Sequence, residues 1–367
     1  MLEDLPLTSE TSGKQLWAEL GAAGLLARAY QDGDPARGLD WRGLAGLFTE
    51  VDSAVGAGAG LSFCVQVASA LPLLAVAAAR EAGAAPDALT PMTSVTRQVL
   101  AGRQVVALAA TDVTPGADLT SLQTTVAISP DSITVSGAKH WIASAVFADY
   151  LAVLARHRPG THFTSFTWVL VPADVPGVSV QPADSELFRG SGTGHVSLRE
   201  VTLPRTNLLG SPGRGLVEFA QHIAVERLVS ALWAITLCRR MICQTKAYLE
   251  ERQSSTGPLW SVAEIRRRVA RCLVATQQLQ ALVESKADAI VAGRDHLGAA
   301  LLKASSAEVV DRVLGECAHL QGAHGFATGG AQEVRAQGAL WGIGGGTTEV
   351  VLSAVADGAE HLLHGAA

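Results

Sequence analysis

Residues 213–252 read GRGLVEFAQHIAVERLVSALWAITLCRRMICQTKAYLEER. The stretch has no proline, and its two glycines, Gly213 and Gly215, both stand at its start. A run of good helix formers this long predicts one long helix. Near its start, Glu226 and Arg227 interrupt the apolar residues. At about 100° per residue, Glu226 falls on the stripe of Phe219, Trp233 and Leu237. A carboxylate flanked by aromatics is poorly hydrated, so its charged form is disfavoured, and a general base is tuned towards neutral pH in this way. Read alone, the residue fits a structural pairing with Arg227 as well as a catalytic role.

Working outward, the sequence has 367 residues, 48% hydrophobic and 17% charged, which predicts several subdomains and a large buried core. A net charge of −6 argues against nucleic-acid binding. Five scattered cysteines without CxxC or His/Cys ligand spacing point to reduced thiols in a cytoplasmic protein, with neither a disulfide framework nor a metal site. MLEDLPLTSE is acidic and polar, unlike a signal peptide. Val55 to Ala79 carries no formal charge, but Pro72 is expected to split it into two buried helices too short to cross a bilayer.

From Ser12 to about Gly102 the pattern is helical, punctuated at Gly33-Asp34-Pro35 and Ala85-Pro86. The period then changes. Val105–Ala110, Ile133–Val135, Tyr150–Ala155, Phe166–Pro172, Val178–Val180 and Val196–Leu203 are short β-rich runs bounded by turns. Closely spaced strands without intervening helices predict an antiparallel sheet. Beyond Asn207-Leu208-Leu209-Gly210 the helical period returns, with helices expected over 213–252, 261–291, 297–322 and 346–364. The expectation is an α+β multidomain chain: an N-terminal helical domain (1–104), a central antiparallel β domain (105–210) and a C-terminal four-helix bundle (211–367).

Several catalytic signatures are missing from the sequence. There is no GxxxxGK[ST], no GxSxG and no HExxH, and neither GSGTG (190–194) nor GIGGG (342–346) forms a GxGxxG opening a helix. What remains is a set of phrases in a fixed order. Glu19–Leu25 reads ELGAAGL, Thr111–Asp118 reads TDVTPGAD and Ser136–Ala145 reads SGAKHWIASA. Arg189–Thr193 reads RGSGT; Arg199–Pro204, REVTLP, leads to Asn207–Gly210, NLLG. Together these resemble the acyl-CoA dehydrogenase flavoproteins over nearly the whole chain, with TDVTPGAD similar to TEPGAGSD and SGAKHWIASA similar to NGxKxWITNA.

The resemblance implies FAD, and a buried carboxylate that takes the α-proton of an acyl thioester while the flavin receives hydride from the β-carbon. Most members carry that base in a YEGT phrase. Here the phrase is Gly344-Gly345-Gly346-Thr347, with Gly345 where the glutamate would stand. The isovaleryl and long-chain branches place the base in an LER phrase on the first bundle helix, and Val225-Glu226-Arg227 is similar to it. The implied base is therefore Glu226. Arg227, Ala117, Gly345 and Gly346 are implied at the substrate. Leu108, Ala110, Thr111, Gly116, Ala117, Trp141, Ala143, Ser144, Arg252, Ser254, His319, Gly322, Thr347 and Glu349 are implied at FAD, with Arg252 suited to its pyrophosphate. Ala143 departs from a threonine beside the flavin, for which Ser144 is a substitute, and His319 from a glutamine that reaches a neighbouring subunit's cofactor. Over its whole length the chain looks like the acyl-CoA-dehydrogenase-like enzymes of methoxymalonyl-carrier extender-unit pathways in macrolide polyketide clusters. That implies a small hydroxyacyl group on an acyl carrier protein, although a short or branched-chain acyl-CoA is the alternative. The implied partners are an electron-transfer flavoprotein or O₂, the latter with monooxygenase or oxidase chemistry, and a homodimer or homotetramer. A non-catalytic binding protein on the same fold is the reading outside enzymology. The arginines at 266, 267, 268 and 271 form either a solvated face or a dock for an acidic carrier protein.

Overall fold

The computed structural model describes residues 4–84, 91–113, 119–255 and 257–364. Two compact units divide them: 1–47 with 54–223, and 48–53 with 224–367. The first unit begins with α1 (Gly13–Ala22), closed at its start by a capping box between Ser12 and Gln15. Its apolar stripe buries Leu16, Trp17 and Leu20. The helix ends before Gly24, whose φ of +70° turns the chain. Next come α2 (Trp41–Ala54), α3 (Ala57–Val65), α4 (Leu71–Ala84) and α5 (Pro91–Leu100).

Pro72 does not split the apolar segment as expected. A π-turn over Gln66–Ala70 joins α3 to α4, and the Leu71 N–H donates to Gln66 O. The wider turn makes room for a ring that would otherwise meet the carbonyl four residues back. The resulting helix is long and apolar enough to cross a membrane, with mean hydropathy 2.0 over its most apolar window. Since 78% of that window is buried inside the protein, it serves as a core helix.

The sheet comprises β1 (Val106–Ala109), β2 (Thr125–Ile128), β3 (Ser132–Ile142), β4 (Tyr150–Arg156), β5 (Phe166–Pro172), β6 (Val178–Pro182), β7 (Gly194–Pro204) and β8 (Leu208–Leu209). The order is β6-β7-β3-β2-β4-β5-β8, with β1 paired to β4. Five ladders are antiparallel, as expected for hairpin-linked strands. β1 runs parallel to β4 from Val106↔Tyr150 to Ala109↔Val153, and β2 meets β4 in parallel at Thr125↔Arg156. The sheet is therefore mixed, because β1 enters it from the helical segment and not through a hairpin. Val126, Val135, Val153, Val169, Val196 and Val201 fill its core.

The opening stretch of the sequence is one helix, α6 (Gly215–Glu251). At its start the Trp168 indole donates to Gly215 O at 3.0 Å. In the second unit follow a two-residue hairpin (β9, Gln253–Ser254; β10, Gly257–Pro258), α7 (Ala263–Val291) and α8 (His296–Gln321). α7 buries Val269, Cys272, Leu279, Val283, Ala287 and Ile290, a helical stripe, and packs on α8. The rest is α9 (Ala331–Gly338), α10 (Thr348–Asp357) and α11 (Ala359–His364). The helix expected over 346–364 is thus two, separated at Gly358.

Candidate active site

In the first unit a buried ion pair shapes the end of β1. Lys139 on β3 is fully buried, and its Nζ lies 2.6 Å from Asp112 Oδ1. The same ammonium donates to Ala110 O at 3.0 Å and to Leu154 O at 2.7 Å, which ties β1 to β4. Asp112 also accepts from the N–H groups of Gln123 and Thr124 and from the Thr124 hydroxyl. Burial pushes the Asp112 carboxyl up, but the Lys139 charge and these donors hold it below the usual carboxylate range. Burial lowers Lys139 to about 8 against the pull of Asp112.

Leu108, Ala110 and Thr111 stand at this strand end. Among the described residues no strand pairs the other edge of β1; the Gln66 side-chain amide faces Val106 N and O there. At a register shift in β3, Trp141 has φ +55° and is 62% exposed, and its backbone N–H donates to His195 Nδ1 at 3.3 Å. The His195 and His140 rings lie 4.4 Å apart. Ala143 is half-buried. Ser144 is buried in a left-handed conformation, and its hydroxyl is bonded to Ser62 Oγ at 2.8 Å. The Ser144 hydroxyl therefore already has a partner within this unit. Gly116 and Ala117 lie outside the described residues.

In the second unit, α6 presents Glu226 and Arg227, both half-buried. Arg227 Nε donates to Gly345 O at 3.0 Å. Gly345 has φ +73°, which favours glycine. A Cβ built on it would lie 3.8 Å from Glu226 Oε1, 3.6 Å from Lys303 Cε and 3.9 Å from Arg227 Cγ. A longer side chain at 345 would thus grow into the ground that the Glu226 carboxylate holds. A Cβ on Gly346 would lie 3.2 Å from Arg227 Nη2. Burial lowers the Arg227 guanidinium and the Glu226 charge opposes it.

Lys303 was not singled out from the sequence. It lies in the apolar stripe of α8 between Leu302 and Ser306, 1% exposed, and its Nζ donates to Trp341 O. A lysine in such a stripe is the signal that would have found it. Trp233, seven residues beyond Glu226, has its own partners: Phe48 stacked at 6.4 Å, Trp341 at 4.6 Å, and Asp52 Oδ1 at 3.2 Å.

The remaining residues are dispersed over the second unit. Arg252 is exposed just past the end of α6, and Ser254 Oγ donates to Gly257 O in the hairpin. His319 is exposed on the last turn of α8, which Gly322 caps. Thr347 caps the start of α10, and Glu349 is an exposed acid in its first turn. Arg267 pairs with Glu264 and Arg268 with Glu316, so part of the arginine run is committed within the bundle. An open groove of about 660 Å³, lined by Glu308, Asp311, Arg335 and Thr348 among others, contains none of the candidate residues.

Comparison with known proteins identifies the architecture. The middle domain of acyl-CoA dehydrogenase matches residues 107–201, and the C-terminal domain of acyl-CoA dehydrogenase matches residues 213–360. The chain belongs to the acyl-CoA dehydrogenase family. Family membership makes it an oxidoreductase acting on acyl thioesters, with FAD as cofactor. It is 26% identical to the probable acyl-CoA dehydrogenase YngJ of Bacillus subtilis, over 92% of this chain and 87% of that one. It is 27% identical to the acyl-[acyl-carrier-protein] dehydrogenase MbtN of Mycobacterium sp. strain MCS, over 95% and 86%. Its fold is similar to that of FkbI, described as an enzyme for biosynthesis of the methoxymalonyl extender unit of a polyketide immunosuppressant. That match has a TM-score of 0.81 and 23% identity, and covers 96% of this chain and 94% of that one.

The residues present fit a flavin cofactor. The first unit offers, at Leu108, an edge of β1 that no strand pairs among the described residues, and an uncovered indole at Trp141. The second offers an exposed guanidinium at Arg252. These are groups that bond the polar edge of a ring, cover its face and neutralise a pyrophosphate, respectively.

Proposed function

We propose that this enzyme oxidises a small hydroxyacyl group carried as a thioester on an acyl carrier protein, in the making of a polyketide extender unit. The base is Glu226. One observation carries that choice: the Glu226 carboxylate lies against the face of Gly345, where most of the family has its glutamate. The chain thus keeps a carboxylate at that spot but supplies it from α6. Arg227, bonded to Gly345 O, holds the two segments together there.

In this reading the thioester carbonyl acidifies the α-carbon, and Glu226 takes the α-proton. The Cα–H electron pair becomes the Cα–Cβ π bond as hydride leaves the β-carbon, giving the enol of a β-carbonyl where the β-carbon bears the hydroxyl. Bound FAD supplies the two-electron sink for the hydride leaving the β-carbon. Glu226 must enter the reaction ionised and leave it protonated, and it passes the proton on before the next turnover. Leu108, Ala110 and Trp141 would hold the flavin's ring system, and Arg252 its pyrophosphate. The carrier-bound substrate is supported by the likeness to MbtN, and the extender-unit role by the likeness to FkbI. YngJ favours a CoA thioester as the second reading.

The test compares the same hydroxyacyl group on CoA and on a carrier protein, without oxygen, and follows bleaching of the flavin absorbance. Bleaching at least ten times faster with the carrier-bound form supports the proposal. Equal or faster bleaching with the CoA form overturns the carrier assignment. A requirement for an external flavin reductase would overturn the dehydrogenase assignment in favour of a monooxygenase.

A further inference from the structure

We infer that Lys303 is a positioning residue for Glu226: from α8 it fixes the glycine segment in front of the carboxylate and supplies a cation that keeps the carboxylate ionised. The inference rests on Glu226 being the base.

Three contacts define the arrangement. Lys303 Nζ donates to Trp341 O, in the turn that leads into Gly344–Gly346. Trp341 is held in turn by its indole N–H, which donates to Ser230 O on α6 at 3.0 Å. The Lys303 Cε and Glu226 Oε1 both lie within 4 Å of one point, the place of a Cβ on Gly345. Lysine, glutamate and glycine segment therefore meet in one small volume, with Arg227 closing it through Gly345 O.

The energetics explain why a cation belongs there. Sequestering a carboxylate disfavours its charged form, and a general base that stays protonated is useless. A cation nearby offsets that penalty. Near Lys303, Arg227 is a charge of like sign and Glu226 one of opposite sign. Burial, with help from Arg227, lowers Lys303 to about 8, so it is cationic at neutral pH. The lysine also makes the geometry one-sided: its stem fills the α8 side of Gly345, leaving Glu226 to approach from α6.

The test reads Glu226 directly, without substrate. In the FAD-loaded protein, a pH-difference infrared spectrum should show a protonated-carboxyl band that Glu226→Gln removes. Lys303→Met should raise the midpoint of that band by about one to two pH units, the usual effect of losing a close opposite charge. Lys303→Arg should return it to within about half a unit, since charge and not shape is what the carboxylate feels. An unchanged midpoint in Lys303→Met overturns the inference. If Lys303→Met does not fold, the isosteric Glu226→Gln variant tests the pair from the other side. The folded value of Lys303 lies below its unfolded value of about 10.4, so stability rises with pH between the two. That rise starts near pH 8 in the parent and should start lower once the anion is gone. The same onset in both proteins overturns the inference. Failure of the base assignment looks different: full flavin bleaching by Glu226→Gln.

Discussion

Replacing Lys139 by methionine should destabilise the sheet unit by about 3–5 kcal/mol, the usual cost of stranding one partner of a buried ion pair. Methionine keeps the apolar stem and removes three interactions: Asp112 Oδ1 at 2.6 Å, Leu154 O at 2.7 Å and Ala110 O at 3.0 Å. Water cannot replace the ammonium, because the lysine side chain has no exposed surface and that of Asp112 has only 4%. The Asp112 carboxylate keeps its donors from Gln123 and Thr124 but loses its counter-charge. The double variant Lys139→Met with Asp112→Asn should recover at least about 2 kcal/mol of the loss, since no buried charge is then left alone. Urea unfolding followed by tryptophan fluorescence reads both numbers, Trp168 being buried in the same sheet. A loss below about 1 kcal/mol, or a double variant as unstable as the single one, would show that the pair does not organise this end of the sheet.

Two further predictions follow from the first unit. Gly21→Ala would put a Cβ 2.3 Å from the backbone nitrogen of Gly102. α1 must then back away from that turn, and the melting temperature should drop by an amount equivalent to about 1–3 kcal/mol; an unchanged melting temperature would contradict the close approach. His222 is lowered to about 4 by burial and by Arg80, well under its unfolded value. The unfolded chain therefore binds that proton more tightly, and stability should fall as pH drops from about 6.5 towards 4. His222→Gln should flatten this acid limb, and a limb of unchanged slope would count against the assignment.

Local pattern made much of the fold legible. Phe166–Pro172 is an apolar run broken by Thr167 alone, in turn-rich surroundings, and β5 has those bounds. The proline-free stretch at 213–252 is α6 to within two residues at its start and one at its end. Legibility failed where partners distant in sequence decide the outcome. Pro72 read as a break, because nothing local announces that a π-turn anchored to Val106 will absorb it. β2, Thr125–Ile128, was not read from the sequence; its pairing with β3 and β4 is what defines it. The parallel entry of β1 depends on the helices before it. Glu226 was legible as an awkward carboxylate, and Gly345 gave it a reason. Lys139 and Lys303 could have been noticed as lysines among apolar residues, but their roles were not legible, because the fold alone brings Asp112 and Trp341 to them.

In the proposed reaction Glu226 has taken over the proton-abstracting role that a glycine at 345 cannot perform. Glu226→Gln tests it most directly, since the amide keeps the shape of the side chain but cannot accept the α-proton. The purified variant should retain FAD and bind the thioester, yet reduce its flavin under anaerobic mixing at least about a thousand times more slowly than the parent, in the range of a lost general base. Flavin reduction at the parent rate would contradict the account and return Glu226 to a structural role beside Arg227.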